Sequence, residues 1–526
     1  MIEPHNPNNA GLSRRTLFRY AGTGLAAAAV ASALGACDSS AGAGTTTSTS
    51  SPVKGGTLRA GLTGGGAADT LDAALPLNNI DFARGGALYN PLIGMDNDAH
   101  GVKALADLIE PSKDAMSWTI RLKDGLTFHN GKPVTADDVL FTLNRVVSNH
   151  YGGSSALTQI DMKNAQKVDK LTVKLPCFTP FSILDQALYA NAYYLGIVPT
   201  DYDPNNPVGT GPFKFESFTP GQQSVFTANR DYWDKAAYVD SLVISNYTDE
   251  TAQLNALQAQ QVDLVNQLSA ASVGVARAAG QVLVSKGGGS TPIVMRCDKP
   301  PFNDVRVRQA LRLVVNRAQL NSVIFEGNAT VGNDVFGLWD PDYDTSIPQR
   351  EQDIDQAKSL LRQAGQSDLK ITLVVGDISY GAVQTAQVFA DQAKLAGVTV
   401  EIQKVTVTDF FGSNFLSWDM SIDAWYYTPY LAMASYTTTP GAPYPETHFS
   451  DEKYNSLYQQ AIGTTDESAR RELSHQMQLI DHNQGGYIIP QFAASIDAAG
   501  KSVGGLTASK TGLSFGNFDF KSLWVA

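Results

Sequence analysis

Apolar and polar positions alternate from residue 118 to 123, with Trp118, Ile120 and Leu122 on one side and Thr119, Arg121 and Lys123 on the other. A period of two predicts a half-buried strand. Asp124-Gly125 predicts a turn and Leu126-Thr127-Phe128 a returning strand, so this stretch reads as a hairpin. The period then changes. After a turn-rich run at 129–133, in which His129 reads as a structural turn residue, Thr135 serves as an N-cap. Asp137 and Asp138 put negative charge in a first helical turn, and Val139, Leu143, Val146 and Val147 recur at helical spacing.

The same two periods organise the rest of the chain. Residues 55–62 read as a strand, 81–92 as a helix ending near Tyr89, 171–175 and 239–244 as strands, and 250–261 as a helix. Asp304 caps a helix whose Val307, Leu311, Val314 and Val315 face a core, leaving Arg306, Arg308 and Arg312 for the surface or for pairing. Asp353 starts a helix that stops at Gly365. A strand follows at 371–375, then a helix at 383–395 stopping at Gly397, then a strand marked by Val398, Val400 and Ile402. Strand, helix and strand at this spacing form a βαβ unit and predict a parallel α/β sheet. At 418–427, Trp418, Met420, Ile422 and Ala424 alternate with Asp419, Ser421, Asp423 and Trp425. A last helix at 467–482 turns Leu473, Met477 and Ile480 inward, and a strand at 487–491 returns to the first lobe.

At 526 residues the chain exceeds what one core usually serves, which predicts two or three domains. The net charge is −12, and removing residues 1–36 takes away Arg14, Arg15, Arg19 and Glu3 and leaves −14. A body this acidic, without a basic stripe, excludes nucleic acid as a partner. No cofactor or metal is expected. The glycine-rich run at 63–68 is not followed by a helix opening Lys-Ser or Lys-Thr, and His475 and His482 share a helix face without a third ligand. Cys177 and Cys297 each end an apolar run and read as buried free thiols, although an exported setting would permit them to pair.

Ser13-Arg14-Arg15-Thr16-Leu17-Phe18-Arg19 resembles a twin-arginine export signal, followed by an alanine-rich apolar run. Leu34-Gly35-Ala36-Cys37 resembles a lipobox, which implies lipidation at Cys37 and a membrane anchor on the outer face of the cytoplasmic membrane. Residues 37–52 are then a flexible tether, too small-sided to bury a core.

Three strings in the body carry a further resemblance. They are Leu126 to Val139 with Phe128, Gly131, Asp138 and Val139; Pro207-Val208-Gly209-Thr210-Gly211-Pro212-Phe213; and Pro300-Pro301-Phe302-Asn303-Asp304-Val305-Arg306-Val307-Arg308-Gln309-Ala310-Leu311. Gly209 and Gly211 read as positions that allow positive φ before a strand. Together the strings resemble family 5 of the extracytoplasmic solute-binding proteins, the peptide and nickel class that serves ABC importers. Asn130 stands where that family usually has aspartate, and Gln261 where it has glycine.

The resemblance implies an α/β, two-lobed periplasmic-binding-protein-like fold (type II, cluster C) with an extra inserted domain. The expected division is 1–36 signal peptide, 37–52 tether, 53–88, 200–285 and 495–526 lobe I, 89–199 inserted domain and 286–494 lobe II. The expected partners are a small-molecule or peptide ligand, permease subunits with their ATPases and the membrane, with the receptor itself a monomer. Ligands of α/β lobes bind beyond the carboxyl ends of strands. Trp425, Tyr426, Tyr427, Thr428 and Tyr430, with Asp423 and the loop at Thr63, are therefore the expected substrate-binding residues. The alternative is that the aromatics close a core. Peptide-binding relatives often carry aspartate at the place of Thr428, and a neutral threonine cannot pair with a peptide's ammonium. An aromatic wall suits equally a blocked peptide, a saccharide or a flat solute. The competing function is an exported hydrolase using Asp419 and Asp423, against which the chain lacks every common nucleophile motif.

Overall fold

A computed structural model describes residues 51–526; the expectations for Arg14, Arg15 and Cys37 lie outside the described residues. One lobe is built on an eight-stranded sheet. Thr57–Thr63 lies near its middle, parallel to Ser241–Tyr247 on one side and to Leu264–Val265 on the other, and the flanking pairs are antiparallel. The other lobe is built on five strands in the order Thr399–Val405, Lys370–Gly376, Met420–Ile422, Ile293–Met295, Tyr487–Ile488. The βαβ reading holds here: Lys370–Gly376 and Thr399–Val405 pair in parallel with the helix Ala382–Lys394 between them. The sheet as a whole is mixed, because Ile293–Met295 runs antiparallel to both of its neighbours.

Two of the passages between the sheets are direct, from one strand to the next within two residues. Gly280–Ser290 belongs to the eight-stranded sheet and Ile293–Met295 to the five-stranded one; Tyr487–Ile488 returns to Gln491–Gly500. The predicted strand at 487–491 is therefore two strands in two sheets. Pro292 and Pro490 stand at the passages, where a residue without an N–H ends one ladder before the next begins.

A four-stranded antiparallel sheet, Ala106–Pro111, Ser117–Leu122, Thr172–Pro176 and Gln166–Lys167, holds Trp118, Ile120 and Leu122 against the helix Ala136–Ser148. That helix has the predicted cap. Thr135 and Asp138 form a capping box, and Val139, Leu143 and Val146 are buried. The expected hairpin is not present. Both edges of Ser117–Leu122 are taken by Ala106–Pro111 and Thr172–Pro176. Leu126 and Phe128 instead drop into the core, leaving only a bridge between Thr127 and Pro133.

Two of the three strings brace one another. His129 donates from Nε2 to Gly211 O at 3.0 Å and accepts the Gly209 N–H on Nδ1 at 3.2 Å. Gly209 and Gly211 do not have positive φ. They are glycine because a Cβ would lie 2.0 Å from Leu88 O and 2.3 Å from Ala87 O, at the end of the helix Asn79–Leu88. Burial pushes the His129 imidazole down from 6.5 to about 4, so the ring is neutral at pH 7, as its two hydrogen bonds require. A depressed histidine contributes stability that is present above its ordinary pKa and is lost as the pH falls toward 4. We expect His129→Gln to flatten the loss of urea midpoint between those two pH values, removing up to about 3 kcal/mol of acid sensitivity. An unchanged slope would contradict this role.

Arg308 and Arg312 are not on the surface. Arg308 donates to Gln484 O and Gly485 O, and Arg312 to Gly485 O at 2.6 Å and Tyr487 O at 3.1 Å. They thus cap the carbonyl end of the helix Glu467–Gln484, where a guanidinium meets both unpaired acceptors and the negative end of the dipole. Arg306 alone stays outside, paired with Asp304. Cys177 and Cys297 are free thiols.

Candidate functional site

The helix Asn79–Leu88 lies over the eight-stranded sheet, capped at its start by Asn78 and ending at Tyr89. Beyond its end is a cavity of about 530 Å³. Phe82, Gly86 and Tyr89 form one wall, and Tyr193 and Tyr194 from the inserted region form another. The C-terminal segment closes a third side through Asn517 and Phe518, and Tyr426 and Tyr427 come from the far lobe. Tyr426 meets Phe82 edge to face at 5.9 Å, so an aromatic contact joins the lobes at the mouth.

The charges in the walls are only partly offset. Lys521 is held by Asp234 at 3.3 Å and Asp519 at 3.6 Å, Lys103 donates to Asp107 O, and Asp96 accepts from the backbone of Asp98 and His100. Burial raises the phenols of Tyr193, Tyr194 and Tyr427, which are neutral at pH 7. What remains is stacking surface with scattered hydroxyl and amide groups. Such a site recognises apolar faces and neutral polar groups.

The predicted residues divide. Tyr426 and Tyr427 line the cavity. Trp425 stands behind them, its backbone exchanging hydrogen bonds with Ser290 at 2.8 and 2.9 Å and its indole against Tyr444. Thr428 is buried, with its hydroxyl on Tyr426 O. Tyr430 opens the helix Tyr430–Thr437 inside a core, donating to Asp481 Oδ2 at 2.5 Å. Asp423 is buried beside Glu446, and Thr63 ends its strand with its N–H on Asn266. None of these five lines the cavity. Asp419 and Asp423 do not converge on a common point either: Asp419 is on the surface paired with Lys299, while Asp423 is 3% exposed.

The sequence reading missed Phe82, Tyr193, Tyr194 and Phe518, and it missed Gly288. A Cβ on Gly288 would lie 2.5 Å from Tyr427 Cδ2, so this glycine lets the tyrosine seat against the Gly280–Ser290 strand. Three consecutive glycines within a strand, Gly287-Gly288-Gly289, were the available signal, since glycine there marks close backbone approach.

Residues 101–444 match the family model described as bacterial extracellular solute-binding proteins, family 5 Middle. The chain belongs to this family. This family 5 protein is 26% identical over 450 residues to heme-binding protein A of Haemophilus influenzae, a match covering 76% of this chain and 81% of that one. It is 27% identical over 315 residues to the oligopeptide-binding protein AppA of Bacillus subtilis, covering 57% and 56%. The structure of the ABC transporter substrate-binding protein CtaP from Listeria monocytogenes superposes with a TM-score of 0.78 at 22% identity, over 90% of this chain and 99% of that one. The two-lobed α/β fold implied by the three strings is therefore the fold of this family 5 chain, and the family is one of binding proteins.

Proposed function

We propose that this family 5 protein captures a peptide-sized, uncharged solute with an apolar face and delivers it intact to a membrane permease powered by ATPases. The relatives are named for ligands as unlike as heme and oligopeptides, so the choice rests on this chain's own cavity. The observation that carries the reading is the aromatic cavity between the lobes, in which Phe82, Tyr89, Tyr193, Tyr194, Tyr426 and Tyr427 outnumber the charged groups and Lys521 is held by Asp234 and Asp519. Its volume of about 530 Å³ falls among small-molecule sites, which run from roughly 300 to 1,000 Å³. Tyr426 on Phe82 supports closure around the solute, because a ligand that touches both lobes selects the closed state.

Thr428 does not reach the cavity, so the preference for a solute without a free ammonium rests on the uncharged Tyr426–Tyr427 wall itself. A thermal-shift comparison of one tetrapeptide in free-amine and N-acetylated forms tests this. The blocked form is expected to bind at least as well; a preference for the free amine of about tenfold, or about 1.4 kcal/mol, would contradict it. A neutral disaccharide shifting the protein more than either peptide would move the assignment to sugars.

The proposal includes export by the segment around Arg14 and Arg15 and anchoring through lipidated Cys37, with 37–52 as tether. We expect Cys37→Ala to move the protein from the membrane fraction to the soluble exported fraction. Retention in the membrane fraction would overturn the anchor. The division into lobe I, inserted domain at 89–199 and lobe II at 286–494 is part of the proposal, and the passages at Pro292 and Pro490 near the two ends of lobe II support it.

A further inference from the structure

Directly behind the Tyr426–Tyr427 wall, two carboxyl groups are buried together without a cation. Asp423 is 3% and Glu446 5% exposed, and their carboxyl groups lie close enough to hydrogen-bond if one is protonated. Two carboxylates cannot hydrogen-bond; one of them has to carry a proton.

Every element packed around the pair contributes a neutral group. From the strand Tyr487–Ile488, Tyr487 donates its hydroxyl to Glu446 Oε2 at 3.0 Å. From the cavity loop, the Trp425 indole N–H lies near Glu446 and, like Glu446 Oε1, makes no hydrogen bond. From Pro292 at the passage between the sheets, a carbonyl accepts the Asp423 N–H at 3.2 Å, and the Ala424 N–H lies on Asp423 Oδ1 at 2.7 Å. His448, two residues beyond Glu446, is turned to Leu416 O. Among the described residues no lysine, arginine or histidine forms an ion pair with either carboxyl.

We propose that Asp423 and Glu446 hold a single proton between them and that losing it displaces Trp425 and, with it, the Tyr426–Tyr427 wall. The mechanical link is short. Asp423 and Trp425 are two residues apart, Trp425 is tied by its backbone to Ser290, and Tyr427 seats on Gly288 of that same strand. A second negative charge in this apolar site forces the carboxyls apart, and Trp425 Nε1, buried beside them without a partner, is an unused donor that can follow Glu446. Burial, with Asp423 adding to it, raises Glu446 well above its ordinary range, and burial raises Asp423 as well. The sign follows from both shifts being upward. Both carboxyls are protonated below the ordinary carboxylate range, the pair then keeps one proton, and that proton is lost as the pH rises through the raised value of Glu446. The consequence for solute, release as the pH rises, rests on the function proposed above; the proton itself does not.

The test therefore uses the apoprotein. With six tryptophans in the chain, the contribution of Trp425 is isolated as wild-type fluorescence minus that of Trp425→Phe. It is followed from about pH 5 to about pH 9, the span over which a buried carboxyl titrates. The wild type is expected to show one step with its midpoint above the ordinary carboxylate range, and Glu446→Gln, measured against Glu446→Gln with Trp425→Phe, is expected to lose that step entirely. A flat wild-type trace, or a step of equal size in Glu446→Gln, overturns the proposal. If Glu446→Gln does not fold, Asp423→Asn carries the same comparison. Because no solute is present, these outcomes stand whichever ligand the cavity takes.

Discussion

Replacing Asp334 with alanine is expected to cost about 3–5 kcal/mol, the usual consequence of leaving buried charge without its partner. The carboxylate is 2% exposed and faces three arginines: Arg317 at 2.8 Å, Arg350 at 2.9 Å and Arg312 at 3.8 Å. It also accepts the Ile489 N–H at 3.0 Å, next to the Pro490 passage between the sheets. Burial alone would raise this carboxyl; Arg317, Arg312 and Arg350 outweigh it and hold the group below the ordinary carboxylate range. Its contribution is thus present above that range and is lost as the pH falls through the lowered value. Arg312 shows the opposing effect, pushed down to about 10 by burial and supported by Asp334. Hydrogen exchange on the backbone of residues 487–492 is the direct readout, since the lost anchor is local before it is global. Wild-type protection there in Asp334→Ala would mean that the passage is held by packing alone.

The second large effect is on binding. Gly86→Phe is expected to abolish solute retention while leaving the protein folded. Gly86 lines the cavity from within the helix Asn79–Leu88, and a Cβ there would meet only Tyr193 Cε1, at 3.9 Å. A phenyl ring at that position therefore enters the space a solute would occupy. Phenylalanine is also a better helix former than glycine by a few tenths of a kcal/mol, so the urea midpoint is expected to hold or rise slightly. Overlap of solute with the ring costs about 3 kcal/mol, or roughly a hundredfold in affinity. Loss of binding accompanied by loss of stability would show misfolding instead.

Features fixed by neighbours in sequence were legible. The Thr135 cap, the Asp304 and Asp353 caps, the Gly365 and Gly397 stops and the helix Ala382–Lys394 all follow from local spacing. Features fixed by distant neighbours were not. Leu126 and Phe128 alternate as a strand does, but a partner more than forty positions away in sequence, Thr172–Pro176, takes the free edge. Arg308 and Arg312 look like solvent-facing helix residues until the carbonyl end of Glu467–Gln484 is placed over them. The site divides in the same way. Tyr426 and Tyr427 stood out as aromatics after a strand, whereas Phe82, Tyr193 and Phe518 form a wall only once three separated segments converge. Tyr430 belongs to the same aromatic run, and its place at the start of a buried helix, bonded to Asp481, takes it into a core.

Native mass spectrometry of the exported protein, followed by denaturation and identification of what is released, tests most directly whether this cavity holds a solute. The wild type is expected to carry one intact small molecule per chain, peptide-sized and without net charge, and Gly86→Phe to carry none. The same adduct on both proteins, or a released molecule that the protein converts to another on incubation, would contradict a receptor that closes on its solute at the Phe82–Tyr426 mouth.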